Sequence, residues 1–561
     1  MKRPVRMHGI ISAGILLISA CNVHTVTQPI ITSTPFLPVP LESRTPTPAA
    51  ETVALYLSDQ MPGAWQELIQ PLPGVTLVDN VRDADITIIP SIGKTDTNAL
   101  AKFDLVYAAA VPFFTVEDEI SFDTLSTLWQ GGGEGDEIRE LFVSTKTMGL
   151  LSTVWGKPAE NVISGKSSEL LDLMKASPSA IAILLFEEIT PRWKILKLDG
   201  LSPLDKPFDQ ERYPLKISFD MAITNVVTEE VMQVVEAISK ILPTSNRDES
   251  KMTVVVMSGT TAITRGLAYK VTINDTEYPI KLVKDWFLSA DLRHVSNEAP
   301  FYEDCPYPDP YTSSLVFCTS PDMIEVLENI GVNVVELTGN HIKDYLEENL
   351  LYTMQLYKDR GWYFYAAGEN AQLAREPVLI EQNGNRIAFI GCNAVGPASV
   401  WATEQRAGAA QCDYEYLTET IKGLKDQGYT VITTFQHAEL SQQDGWPTVL
   451  MFAEKISSEF HSVAEAGADI VQGSQAHYPM GFEFVGDSLI HYGLGNFLFD
   501  QMWDPNRNEF IDRHIIYDGQ YINTELLTAV LMDWSQPTPM DHDQRVEFLD
   551  QIFTASKARE K

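Results

Sequence analysis

The chain has 561 residues, 44% of them hydrophobic, which is enough apolar side chain to bury a core in more than one domain. Its 76 acidic side chains outnumber 41 basic ones, and the formal net charge of −35 repels phosphate backbones. With no basic patch to offset that charge, nucleic acid is excluded as a partner.

Lys2, Arg3 and Arg6 precede an apolar run from Gly9 to Ala20 that is too short to span a bilayer and is laid out as a signal peptide. The run closes on Ile18-Ser19-Ala20-Cys21, which resembles a lipobox, so residues 1–21 are expected to be a lipoprotein signal and Cys21 the lipidated mature N-terminus. Residues 22–50 hold six Thr and six Pro but only Glu42 and Arg44 as charged groups, a composition that cannot bury enough surface to fold. They are expected to form a disordered tether. An extracytoplasmic protein anchored to the bacterial membrane through lipid follows, since no other apolar run approaches the length of a span.

From residue 51 to 242, strand-like runs (Val53 to Leu57, Val75 to Val78, Ile86 to Ile89, Leu105 to Ala110, Ala180 to Leu185) alternate with helical patterns, the mark of an α/β fold. The stretch from Phe103 through Pro112-Phe113 and Ile120-Ser121-Phe122 to Leu128-Trp129-Gln130-Gly131 resembles the phosphate-binding branch of periplasmic solute-binding proteins, as does Ser179-Ala180-Ile181-Ala182-Ile183. The resemblance implies two lobes with a cleft and crossing strands near residues 105–115 and 180–190. That family's Ser-Gly-Thr anion loop is not recognisable around Ser144-Thr145-Lys146-Thr147, so ligand binding and a purely structural lobe pair stay equal readings.

A polar break at Leu242-Pro243-Thr244-Ser245-Asn246-Arg247-Asp248 separates this half from a second one, expected over residues 251–540, with a helical tail at 541–561. In the second half, polar motifs follow apolar runs four times. Val254-Val255-Val256-Met257 leads into Ser258-Gly259-Thr260, and Val334-Val335-Glu336-Leu337 into Thr338-Gly339-Asn340-His341. Val431-Ile432-Thr433-Thr434-Phe435 leads into Gln436-His437-Ala438-Glu439, and Ile470-Val471 into Gln472-Gly473-Ser474-Gln475-Ala476-His477. Functional loops at the carboxyl ends of parallel strands produce this pattern. Imidazoles at three such ends suit metal ligation or acid-base work, although a lone histidine is more often structural.

Cys305, Cys318, Cys392 and Cys412 form two close pairs, and on an exported chain two local disulfides follow, Cys305 with Cys318 and Cys392 with Cys412. Buried free thiols or a metal site are the alternatives, the latter disfavoured because no Cys-x-x-Cys spacing occurs.

Residues 252 to 535 resemble the CapA family of capsule or poly-γ-glutamate synthesis proteins, whose fold is a calcineurin-like metallophosphoesterase sandwich. The carrying pieces are Leu337-Thr338-Gly339-Asn340-His341 with Asp344-Tyr345, the block Ala466-Gly467-Ala468-Asp469 to His477, Tyr492-Gly493-Leu494-Gly495-Asn496-Phe497-Leu498-Phe499-Asp500-Gln501, and Ser296-Asn297-Glu298-Ala299-Pro300. The fold expected for the whole chain is therefore α/β, a two-lobed periplasmic-binding-protein-like domain followed by a metallophosphoesterase-like α/β sandwich. The resemblance implies a role in the synthesis, attachment or release of an anionic exopolymer, with that polymer or an envelope component as partner. A non-catalytic receptor or scaffold for a glycan, peptide or small anion is the alternative.

Two departures bear on chemistry. Gly259-Thr260 stands where the family has Gly-Asp, and Gln475-Ala476-His477 where it has His-Pro-His. The set that remains, Glu298, Asn340, His437 and His477, holds one divalent ion at most, and no ion is an equal reading. Glu298, His341 and His437 are the catalytic candidates, with Thr260, Gln475 and Asn496 lining the pocket beside them.

Overall fold

A computed structural model describes residues 52–92, 99–132, 139–437, 454–474 and 476–557. The expected signal peptide, Cys21, the tether and Gln475 lie outside the described residues. From Thr52 onward the chain forms one compact unit.

In the first half, Val53–Leu57, Val75–Leu77 and Ile86–Pro90 pair in parallel, and Lys216–Ile223 joins them to Ala101–Pro112 through antiparallel ladders. The twelve-residue strand Ala101–Pro112 is shared between two groups of strands. Its first part pairs with Lys216–Ile223, while Tyr107–Ala110 pairs with Ile181–Leu185, beyond which lie Leu141–Ser144 and Val162–Gly165. The strand that returns the chain to the first group is thus Lys216–Ile223, not the 180–190 segment, which belongs to the second. Gln60 Nε2 donates to Thr153 Oγ1 at 2.7 Å and ties helix Gly63–Ile69 and the turn before it to helix Thr145–Trp155 across the two groups. Helix Glu229–Ile241 closes this half with Val231, Val234, Val235 and Ile238 buried on one face, and Thr228 caps it by accepting from the Val231 N–H.

Two sheets build the second half. Tyr363–Tyr365, Val334–Glu336, Leu292–Asn297 and Met252–Thr261 run parallel, followed by the antiparallel strands Asn508–Tyr517, Gln520–Met532 and Gln536–Pro539. All ten residues of Met252–Thr261 are buried, as a strand covered on both faces requires, and its middle reads as the apolar run Val254-Val255-Val256-Met257. The other sheet sets Asn385–Asn393, Thr430–Gln436, Ile470–Gly473 and Ser488–His491 in parallel, with antiparallel edges Val378–Gln382 and Phe482–Val485. Val255, Met257, Leu292 and Val334 of one sheet meet Phe389, Ile432, Ile470 and Leu489 of the other in a shared core, so the arrangement is a sandwich. Helices Tyr414–Asp426 and Glu454–Glu465 cover the outer face of the second sheet. The outer core of the first sheet is continuous with the first half, where Ala182, Leu184, Phe186 and Trp193 cluster with Met252, Val254 and Leu267.

Both cysteine pairs are bonded, Cys305 to Cys318 and Cys392 to Cys412. Disulfides belong to chains that fold in an oxidising, extracytoplasmic compartment. Among the described residues no helix is long and apolar enough to cross a membrane.

Candidate functional site

The parallel strands of both sheets end at one edge of the sandwich, and the polar motifs gather there. Gln436, the last residue of its strand, is the hub: its Nε2 donates to Glu298 Oε1 and to Asn340 Oδ1, each at 2.9 Å. Asn393 Nδ2 in turn donates to Gln436 Oε1 at 2.6 Å and to the Thr338 carbonyl at 2.7 Å. Four strand ends are thereby tied by amide side chains. Glu298 is only 2% exposed, and its second oxygen, Oε2, has no hydrogen-bond partner. Gly339 lets the two loops touch, because a Cβ there would stand 2.9 Å from the Glu298 Cα and 3.1 Å from its Cγ.

His341 lies beside this carboxylate. Its Nδ1 sits 2.8 Å from Asp344 Oδ2, and the other bond that Asp344 Oδ2 accepts, from the Phe317 N–H at 2.8 Å, fixes the acid. Burial pulls the imidazole pKa down, but the hydrogen bond to Asp344 and the charges of Glu298 and Asp344 outweigh it and hold the pKa above the ordinary histidine value. The Phe317 ring packs 4.4 Å from the His341 ring, and the adjacent Cys318 is bonded to Cys305.

Rings continue the pocket wall. Phe317 meets Phe499 at 6.0 Å, and Phe499 meets the His477 ring at 4.8 Å. His477 Nδ1 is 2.8 Å from Asn496 Oδ1, and the Asn496 amide donates to the His477 and Asn506 carbonyls at 3.1 and 3.0 Å, so Asn496 orients the histidine. Gly495 makes the turn before it with φ of +82°, a conformation open to glycine. Arg265 lies over both rings, 4.8 Å from Phe317 and 5.2 Å from Phe499, and pairs with Asp500. The sequence reading missed Gln436, Arg265, Phe317 and Asp344 as pocket residues. Two of them had a local signal, Gln436 in the strand-end motif with His437 and Asp344 in the motif with Asn340 and His341.

His437 follows Gln436, but its Nε2 lies 2.6 Å from Glu459 Oε2 on helix Glu454–Glu465, and its ring is 5.8 Å from Phe460. Thr260 is buried, donates through Oγ1 to the Ser474 carbonyl at 2.7 Å and bridges to Asn496 through the backbone. Beneath it Ser474 Oγ donates to Glu336 Oε1 at 2.8 Å, and Thr338 donates to the same oxygen. Burial raises the pKa of Glu336, while His294, 2.9 Å from the Tyr365 hydroxyl, is pushed by burial down to about 3. That layer is a neutral-leaning polar floor.

The donors do not fit a preformed metal centre. Among the described residues no three His, Cys, Asp or Glu side chains converge to hold an ion. Asn340 Oδ1 accepts from Gln436, His437 Nε2 is paired with Glu459 and His477 Nδ1 with Asn496, while Glu298 Oε2 is buried without a hydrogen-bond partner. What the arrangement can do directly is bind and transfer a proton: a carboxylate with a free oxygen faces an imidazole biased toward its protonated form.

Sandwich and disulfides define an extracytoplasmic α/β protein with a polar site between parallel strand ends. Residues 254–501 match the family model described as "Bacterial capsule synthesis protein PGA_cap". The chain is similar to "Capsule biosynthesis protein CapA" of Bacillus anthracis, 23% identical over 308 residues, 54% of this chain and 73% of the relative. "PGA biosynthesis protein CapA" of Bacillus subtilis is 24% identical over 203 residues, 36% of this chain and 52% of that protein. Among solved structures, a phosphate transport receptor of Vibrio cholerae aligns with 33% of this chain and 93% of its own at 12% identity and a TM-score of 0.28. A NAD nucleotidase of Haemophilus influenzae aligns with 54% of this chain and 56% of its own at 11% identity and a TM-score of 0.31. Scores this low carry no argument about chemistry.

Proposed function

We propose that this protein handles an anionic exopolymer, poly-γ-glutamate or a capsular polymer, at the outer face of the cell, in its synthesis, attachment or release. The observation that supports this most directly is that the family match at residues 254–501 spans every strand whose end supplies the pocket. In this reading Glu298 accepts a proton or an N–H through its free Oε2, Gln436 and Asn340 orient it, and His341 donates a proton to the departing or attacking group. A degenerate hydrolase fits the departures at Thr260 and Gln475, because the acid and imidazole that the family places there are missing. The chain would reach its substrate from a lipid on Cys21 and the Thr/Pro-rich segment after it.

The second reading, a non-catalytic receptor or scaffold, is favoured by the engagement of His437 with Glu459. One set of measurements separates the two. Purified protein is assayed for cleavage or transfer of γ-glutamyl oligomers and of a generic phosphodiester, with elemental analysis in parallel. Turnover that Glu298→Gln and His341→Gln both abolish supports the enzyme. Saturable binding without turnover supports the receptor, and neither binding nor turnover with any anionic polymer overturns the proposal. Mass spectrometry of membrane-extracted protein tests the anchor: an intact Met1 or a free Cys21 thiol removes it.

A further inference from the structure

We propose that the cavity beneath the Cys305–Cys318 loop is a binding site for an uncharged saccharide unit, adjoining the site around Glu298 through the shared Arg265. The cavity measures about 250 Å³ and is lined by Thr264, Arg265, Tyr307, Asp309, Thr312, Ser320 and Tyr345 among others. That volume, somewhat below the usual span for drug-sized ligands, suits one ring.

Charge selects the class. Arg265 is the one cation among the lining residues, and Asp500 already neutralises it. Asp309 is the one further charge in the lining. An anion would face Asp309 and the −35 charge of the whole chain with no unpaired cation to receive it. A cationic ligand would meet the Arg265 guanidinium. A neutral polyol avoids both costs, since each hydroxyl donates as well as accepts, and the lining offers a guanidinium donor, a carboxylate acceptor and the hydroxyls of Thr264, Thr312, Ser320 and two tyrosines.

The loop supplies what a sugar face requires. Tyr307 is 69% and Tyr311 84% exposed, values that folding alone does not reward for aromatic rings. Tyr307 lines the cavity, and Tyr311, elsewhere on the same disulfide-closed loop, stands edge-on to Trp534 at 5.9 Å. A rigid, amphipathic ring at low entropic cost is what a weak polar ligand needs from its site. Arg265 itself has φ of +45°, a left-handed backbone that a non-glycine residue keeps only where the surroundings enforce it, and such strain gathers at ligand sites.

The test is binding of the intact, purified protein to an array of neutral and uronate-bearing glycans, followed by calorimetry on the best neutral probe. The expected result is preference for neutral glycans, with Tyr307→Ala weakening binding about tenfold or more, the loss of one stacked ring. Because Tyr307 is exposed, the variant should melt with the wild type, and Tyr307→Phe should restore most of the affinity. Binding of no neutral glycan, a preference for uronates, or neutral binding unmoved by Tyr307→Ala would each overturn the assignment. Loss of neutral binding in Glu298→Gln, with Tyr307→Ala silent, would move the saccharide to the central pocket and overturn it as well.

Discussion

Replacing Thr260 with Asp places there the acid that the resemblance to the CapA family implies, and the surroundings of Thr260 set what it costs. The Thr260 hydroxyl is 1% exposed and donates to the Ser474 carbonyl, which is fixed by its own strand end. A carboxylate in that place has no proton to give, so the hydrogen bond worth about 1 kcal/mol is lost and a bare anion is set against a carbonyl oxygen. An uncompensated buried charge adds about 3–5 kcal/mol, so Thr260→Asp should lose about 4–6 kcal/mol at pH 7. The sign with pH follows: burial raises the introduced carboxyl's folded pKa above its unfolded value of about 3.9, so the penalty is full above the folded pKa and shrinks as pH falls through it. Urea melts from pH 7 to 4 measure this. Adding a divalent ion tests the alignment with the family, since an ion held at 100 times its Kd returns about 2.7 kcal/mol. A variant within 1 kcal/mol of wild type at pH 7 in chelator would refute the description of Thr260 as a buried donor, and no recovery with any divalent ion would show that the ancestral ligand geometry is absent.

His341 should titrate above the ordinary histidine value by NMR; protonation then favours the fold, a contribution complete below about pH 6.5 and lost as pH rises through the higher folded pKa. Asp344→Asn should lower that pKa and flatten the pH dependence, and an unmoved titration would dissociate the pair. Gly339→Ala should cost about 1–3 kcal/mol and impair any activity that depends on Glu298, because the new methyl would stand 2.9 Å from the Glu298 backbone; a wild-type melting curve would show slack that the geometry lacks. Converting Cys305 and Cys318 to Ser should cost about 3 kcal/mol for a bridge between residues 13 apart, and Cys392 with Cys412, 20 apart, slightly more; equal urea midpoints with and without reductant would contradict both.

What was legible in the sequence follows the physics of burial. Strands covered on both faces carry apolar runs, so Val254-Val255-Val256-Met257 within Met252–Thr261 and Val431-Ile432 within Thr430–Gln436 announce themselves, and the polar residues after each run lie near the strand end. Lys216–Ile223 holds no continuous apolar run, its Lys216, Ser218 and Asp220 alternating with Ile217, Phe219 and Met221, so its signal is the period-two alternation alone, and the short strands Leu141–Ser144 and Val162–Gly165 are too brief to declare a period.

The site was legible where the chemistry is carried by rare residues and illegible where it is carried by contacts. Histidines at strand ends attract notice, whereas Gln436 is a common polar side chain whose importance exists only once topology sets Glu298 and Asn340 on either side of it. His437 shows the converse, a conspicuous imidazole whose partner, Glu459, sits on a helix that no strand-end pattern brings into view. Arg265, Phe317 and Phe499 are far apart in the chain and meet only because the disulfide loop folds back over the start of helix Arg265–Ile273. A pocket built this way can lose a metal ligand and keep its shape, since its walls are ring contacts and amide bonds rather than coordination. That is why the departures at Thr260 and Gln475 weaken the case for metal chemistry without weakening the case for a site.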